Sequence, residues 1–300
     1  MMLKVNNITK IYGDLKAVDN LSFDVEEGEI FGLLGVNGAG KTTTFRIIMG
    51  LLEADDGNVT LDGKTIDYDV TDKIGFLTEE RSLLLKMTVF DQVLLYGVLK
   101  GMDKDLIEKE LDKWLERFNI KDYKYRKIKE LSKGNQQKVQ FITSIINSPK
   151  LLILDEPFTG LDPINVEMFM SAIKEFKKRG SIIIFSSHFM EHVELFCEKL
   201  VILVKGQVVL GGSLSDIKRE YRKKNIIVHG DVDMDKLLEI DGVLEVNKIR
   251  NDVEIKIEHE KVVEDVFKYI SKCKNITKFN VEEPSLNEIF VSKVGESFDK

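Results

Sequence analysis

The chain has little of what folding outside a reducing compartment or crossing a membrane would need. Only two of its 300 residues are cysteine, Cys197 and Cys273. Their placement fits neither a disulfide framework nor a zinc-ligand spacing, which suits a reducing cytosol. No apolar run approaches the roughly 18 residues needed to span a bilayer. The strongest runs, SIIIFSS at 181–187 and KLVILV at 199–204, are strand-length. The opening residues, MMLKVNNITKIYGD, carry no apolar core of a signal peptide. Positive charge is not in excess either: 44 basic residues face 51 acidic ones, a formal net charge of -7. That balance argues against a duplex-DNA binder and leaves room only for a local basic patch. Low-complexity segments and internal repeats are absent as well.

What is present is an alternating pattern. Hydrophobic residues make up 43% and charged residues 32% of the chain, a globular composition, and the length predicts one large domain plus one small one. Early strands are expected in LKVNNITKIYG and AVDNLSFDVEEGE. The continuous apolar run at 30–34 reads as a strand buried on both faces. A helix follows over 41–52, a hairpin over DDGNVTLDGKTI, and a short strand at 73–77. Two helical stretches broken near Gly101 fill 88–118, and a third helix runs over 132–147. Then strand, helix, strand, helix alternate to residue 197, the order of a parallel sheet. Residues 213–225 read as a charged helical linker. Beyond it the order strand, helix, strand, strand, helix, strand predicts a small ferredoxin-like α+β domain over 226–300. Ser285 and Glu288 form a capping box that opens a last helix.

The chemistry begins where the first buried strand ends. Residues 35–42 read Gly35, Val36, Asn37, Gly38, Ala39, Gly40, Lys41, Thr42, which satisfies G-x-x-x-x-G-K-[ST] between a predicted strand and a predicted helix. Glycines at 38 and 40 let backbone N–H groups converge on phosphate oxygens, and the helix N-terminus adds positive potential. Lys41 would neutralise the β and γ phosphates of ATP, and Thr42 would ligate Mg²⁺. A glycine-rich turn with an incidental lysine would meet neither requirement of context. A second carboxylate for the metal is supplied by LLILDEP at 151–157, where four apolar residues end in Asp155 and Glu156. This is the sheet edge at which doubly wound folds bind ligands. Asp155 would hold Mg²⁺ through water, and Glu156 would polarise the attacking water as a general base.

With these motifs on the page, the chain resembles the ATP-binding subunits of ABC transporters over residues 3 to about 212. LSKGNQQK at 131–138 is similar to that family's signature and lies between the two Walker motifs. The resemblance implies a P-loop ATPase fold with a RecA-like core sheet, an antiparallel β subdomain and a helical subdomain at about 82–148. It implies ATP and Mg²⁺ as ligands and a nucleotide contacted by residues 35–43, Thr43 included. Ser132 and Gly134 would face the γ-phosphate held by an opposite protomer. Tyr12 matches the aromatic that stacks on adenine, with Ala17 and Val18 on the same face. Asp162 matches the D-loop, and His188, ending FSSH, the switch histidine at the γ-phosphate. The family pattern is departed from twice. Lys133 and Asn135 stand where glycine and glutamine are usual. Glu79 stands at the Q-loop glutamine, as a further oxygen beside Mg²⁺, with Glu80 as the register alternative.

The tail, ending in EEPSLNEIFVSKVGE, is similar to the extra domain of subunits related to sodium, drug and peptide exporters. The expected function is therefore an ATP-hydrolysing motor subunit. It would pair with itself or a related subunit and dock on a membrane-spanning permease at the inner face of the membrane. Nucleic acid is not an expected partner. The competing reading, an ABC ATPase acting on nucleic acid or ribosomes, lacks the long coiled coil, second cassette or zinc cysteines of those groups. A GTPase lacks its N-K-x-D motif, since NKIR at 247–250 fails at the aspartate. A third reading makes the tail the working part, with the cassette as its switch.

Overall fold

The computed structural model describes residues 1–66, 68–80, 82–221 and 224–298. In chain order it begins β1 (Met2–Tyr12), β2 (Leu15–Glu26), β3 (Ile30–Gly35), α1 (Lys41–Ile48), β4 (Asp56–Leu61), β5 (Lys64–Thr65), α2 (Tyr68–Thr71) and β6 (Ile74–Leu77). Next come α3 (Val89–Leu99), α4 (Lys104–Arg117), α5 (Lys133–Ile145), β7 (Leu151–Asp155), α6 (Pro163–Lys178), β8 (Ile182–Ser187), α7 (Met190–Phe196), β9 (Lys199–Val204) and β10 (Gln207–Ser213). The chain ends α8 (Leu214–Glu220), β11 (Lys224–Asp231), α9 (Met234–Leu238), β12 (Val243–Ile249), β13 (Asp252–Ile257), α10 (Val262–Ile270), β14 (Lys274–Glu282) and α11 (Leu286–Phe298). Two compact units result, Met1–Gly211 and Gly212–Lys300.

In the first unit the apolar runs form a six-stranded sheet in the order β10-β9-β3-β8-β7-β6. β3 lies between β8 and β9, parallel to both, and all six of its residues are buried. This is the position a two-sided apolar run demands. β7 runs parallel to β8 with Asp155 paired to Ser186, so the acidic strand end and the strand leading to His188 share one edge. The early alternating strands make a separate sheet, β2-β1-β4-β5, in which β1 pairs antiparallel with β2 and β4. Leu3, Val5 and Ile8 of β1 and Leu21, Phe23 and Val25 of β2 join the core that includes β3 and α1. α4, α5 and α6 meet in an aromatic cluster. Phe141 lies 4.6 Å from Phe169 and 5.8 Å from Phe118, ring to ring, and Phe118 packs on Trp114 at 6.1 Å.

The second unit is an antiparallel sheet ordered β12-β13-β11-β14 with α9 and α10 contributing to one core. Val262, Val266 and Ile270 of α10 are buried there with Ile226, Ile255 and Ile257. The capping box closes as the sequence requires: Ser285 N donates to Glu288 Oε2 at 2.8 Å, and Glu288 N donates to Ser285 Oγ at 3.2 Å.

Some elements differ from expectation. The helix after the glycine loop stops at Ile48, because Gly50 takes a left-handed φ of 68° that ends it. The linker over 213–225 is not one helix: β10 runs to Ser213, whose hydroxyl accepts from Asp216 N and caps the short α8. Pairing with β13 already recruits Lys224 and Asn225 into β11. Residues 222 and 223 of that linker, and 299 and 300 of the tail domain, lie outside the described residues.

Candidate functional site

Protein atoms alone hold the glycine loop in shape. Lys41 Nζ donates to the carbonyls of Gly35, at 2.7 Å, and Val36, at 3.3 Å, and the side chain is buried. Gly40 sits at φ 107°, where a Cβ would come within 2.3 Å of the Ala17 carbonyl oxygen. No side chain there is tolerated. Gly35 is similarly confined, its would-be Cβ 2.5 Å from Leu203 O. No side chain caps α1, so its first-turn N–H groups face the loop uncommitted to a protein cap.

A cleft of about 440 Å³ opens over this loop. Its lining includes Tyr12, Ala17, Asn37 to Thr43 and Glu79. Tyr12 is half exposed, while Val18, expected on the same face, is wholly buried in the core. The strand alternation explains the difference: neighbours on β2 point to opposite faces.

At the edge of β7 and β8 a second set converges. Thr42 Oγ1 donates to Asp155 Oδ2 at 3.4 Å. Ser186 Oγ donates to Asp155 Oδ1 at 2.6 Å and accepts from Glu156 N at 3.1 Å. Burial pushes the Asp155 carboxyl up; Ser186 opposes the rise, and the charge of Glu79 adds to it. Glu156 is buried and takes a left-handed φ of 49°, an uncommon backbone state for a non-glycine residue. Its carboxyl is also pushed up by burial, against the nearby His188. His188 Nδ1 lies 2.8 Å from Glu156 Oε1. Beyond this contact, Oε1 has no hydrogen-bond partner among the described residues. A buried carboxylate oxygen in that condition is costly unless something else completes it.

A smaller cleft joins the two sets: Thr42, Asp155 and Glu79 all line it, together with Glu80. Glu79 lines both clefts and Glu80 only this one. Thr42, Asp155 and Glu79 offer the hard oxygen donors that Mg²⁺ prefers. Among the described residues no group of three or more His, Cys, Asp or Glu side chains could hold a metal by itself. An ion bound mainly through phosphates and water would need none.

Ser132, Gly134 and Asp162 line neither cleft. Ser132 caps α5, accepting from Asn135 N at 3.4 Å, and a Cβ on Gly134 would meet nothing within 4 Å. Asp162 caps α6 through Asn165 N at 3.0 Å, and that hydrogen bond holds its carboxyl below the usual range. Two further residues lie at the candidate site although the motifs did not point to them, Ser186 and Gln140, and Gln137 joins them from within LSKGNQQK. Gln137 Nε2 donates to Pro157 O at 2.8 Å, beside Glu156. The signal for Ser186 and Gln140 was a polar side chain at a buried register of an apolar strand or helix.

Comparison with known proteins supplies the family. A family model described as ABC transporter matches residues 18–159, and one described as ATP-binding protein DrrA1-3-like, C-terminal domain, matches residues 212–294. An uncharacterized ABC transporter ATP-binding protein, YhaQ of Bacillus subtilis, is 49% identical over 298 residues, 99% of this chain and 100% of that one. The chain belongs to the ABC transporter ATP-binding proteins. The linearmycin resistance ATP-binding protein LnrL of the same organism is 31% identical to this ABC protein, over 98% of each chain. Among solved structures, the ATP-binding cassette MJ0796, as a dimer in a post-hydrolysis state bound to ADP and Pi, superposes with a TM-score of 0.66 at 27% identity. It covers 71% of this ABC protein and 98% of the cassette. Among the described residues no helix is long and apolar enough to cross a membrane.

Proposed function

We propose that this ABC protein hydrolyses Mg-ATP to drive an exporter whose membrane-spanning permease is a separate chain. The observation that carries the reading is the edge of β7 and β8, where Glu156 is buried with Oε1 2.8 Å from His188 and otherwise without a partner among the described residues, beside the Thr42–Asp155 pair. Lys41 exchanges its two carbonyl partners for phosphate oxygens. Thr42, Asp155 and Glu79 hold Mg²⁺, which supplies neutralisation of charge on the phosphates. Glu156 takes a proton from the attacking water, which its raised proton affinity favours. His188 orients water and γ-phosphate from the half-exposed side.

The nucleotide cleft lacks Ser132, Gly134 and Asp162 within one chain, so we infer a head-to-tail pair, with itself or a related subunit, in which these residues come from the opposite copy. A dimeric cassette among the relatives supports this. The exporter direction rests on the DrrA-like tail and the resistance relative. Exposed Leu84 and Leu85, with Leu95, Val98 and Leu99 on α3, supply an apolar surface for the permease. Held there, the chain works at the inner face of the membrane.

Glu156→Gln tests the core of this reading. The variant should bind ATP, lose hydrolysis by about 10²–10⁴-fold, and run as a dimer on size exclusion only when ATP is present. A variant that turns over ATP at the parent rate, or stays monomeric with ATP, contradicts it.

A further inference from the structure

The loop that carries Glu79 is held from behind by one side chain. Gln140 of α5 is buried, and its Nε2 lies 2.8 Å from Thr78 Oγ1, 3.0 Å from Thr78 O and 3.2 Å from Glu80 O. An amide nitrogen has two hydrogens, so three acceptors share them and the loop is gripped on both sides of Glu79. Thr78 Oγ1 in turn donates to the Glu80 carbonyl, closing the ring of contacts. Farther along, Gln92 of α3, also buried, accepts from Leu84 N at 3.0 Å. The loop therefore cannot withdraw without leaving buried amide groups unpaired, which is costly.

α5 is the element whose N-terminus is capped by Ser132 and whose Gln137, one turn before Gln140, holds the carbonyl next to Glu156. Positions three apart lie on one helix face. A single helix thus presents the signature residues at its start and grips both the general-base turn and the Glu79 loop along its side.

We propose that Gln140 is a positioning residue for Glu79, through which any tilt of α5 shifts the metal-side carboxylate of the same chain. The proposal rests on the reading above that Glu79 faces Mg²⁺. Its bland competitor is a buried amide that merely satisfies nearby backbone. Gln140 then contributes to folding and nothing else.

Gln140→Met keeps the length and apolar packing and removes the donors. In the full chain without nucleotide, amide exchange over residues 78–80 should rise relative to the parent. ATP affinity is then titrated with and without magnesium for the parent, Gln140→Met, Glu79→Gln and the double variant. Glu79→Gln should reduce the gain in affinity that magnesium gives. Gln140→Met should reduce it in the same direction by about two- to tenfold, the lower part of the range of coupling between contacting residues, and the double variant should fall no further than Glu79→Gln alone. Parent-like exchange with a parent-like magnesium gain in Gln140→Met overturns the proposal, as do additive effects in the double variant. A parent-like Glu79→Gln instead removes the metal reading of Glu79 and with it the metal step of the proposal, while the exchange data still decide whether Gln140 holds the loop. Should Gln140→Met melt early, Gln140→Asn, which keeps the donor but shortens its reach, is read with the same expectations.

Discussion

In the proposed function, Lys41 and Glu156 are the two residues on which single-site chemistry turns. Lys41 bonds the Gly35 and Val36 carbonyls, so Lys41→Ala removes a brace of the loop and, on the proposed reading, a phosphate contact as well. ATP affinity should fall about 10- to 100-fold, the worth of a charge-assisted hydrogen bond, with hydrolysis abolished. Equilibrium titration with labelled nucleotide checks this. Glu156 has its proton affinity raised by burial. A carboxyl whose folded-state value is raised contributes stability below its unfolded value and loses it as pH rises through the folded one. Glu156→Gln, which has no proton to lose, should therefore raise the Tm of the nucleotide-free protein at pH 8, and the gain should shrink toward pH 4; a constant gain would assign it to packing. Most of the clustering at this candidate site was legible, because glycine, lysine and paired carboxylates at fixed spacing admit few other uses. Ser186 was not: a serine closing an apolar strand carries no motif, and only the register pairing it with Asp155 reveals its part.

Among the elements, α5 is held by its aromatic side as much as by its glutamines. Phe141 is fully buried against Phe118 and Phe169. Phe141→Ala should cost about 3–5 kcal/mol, as large-to-small core changes do, and urea denaturation measures it. Because the cavity lies under the signature helix, the folded fraction should also show faster exchange along α5; stability loss without that loosening would separate the cluster from the helix. Helices and strands with strong periodicity were readable from the sequence, as for α6 with its Asp162 cap and Pro163 start. Ends set by backbone conformation were less so. α1 is shorter than its apolar pattern because Gly50 turns the chain, and residues 224 and 225 enter β11 because a neighbouring strand supplies their hydrogen bonds.

As a whole molecule the chain is two bodies with separate interiors. Among the described residues, Val228, Ile255, Val266 and their neighbours form a core drawn from the second unit alone. Residues 212–300 expressed alone should therefore give a cooperative thermal transition by circular dichroism, and residues 1–211 should still bind ATP. A tail fragment that shows no transition would make its core dependent on the cassette. Two bodies could be anticipated from the change in texture after residue 212. What α5 joins could not, since its attachments lie 60 and 62 residues away along the chain for the Glu79 loop and 20 for the Pro157 turn.

The bracing of the glycine loop also has a kinetic side. With Gly40 packed against Ala17 and Lys41 tied to two carbonyls, the nest for the phosphates exists before any ligand arrives. Capture of ATP then needs no slow folding of the loop, and encounter alone sets its speed. In stopped-flow mixing the observed rate of capture should climb in a straight line with ATP concentration, where a loop that first had to organise itself would make it level off.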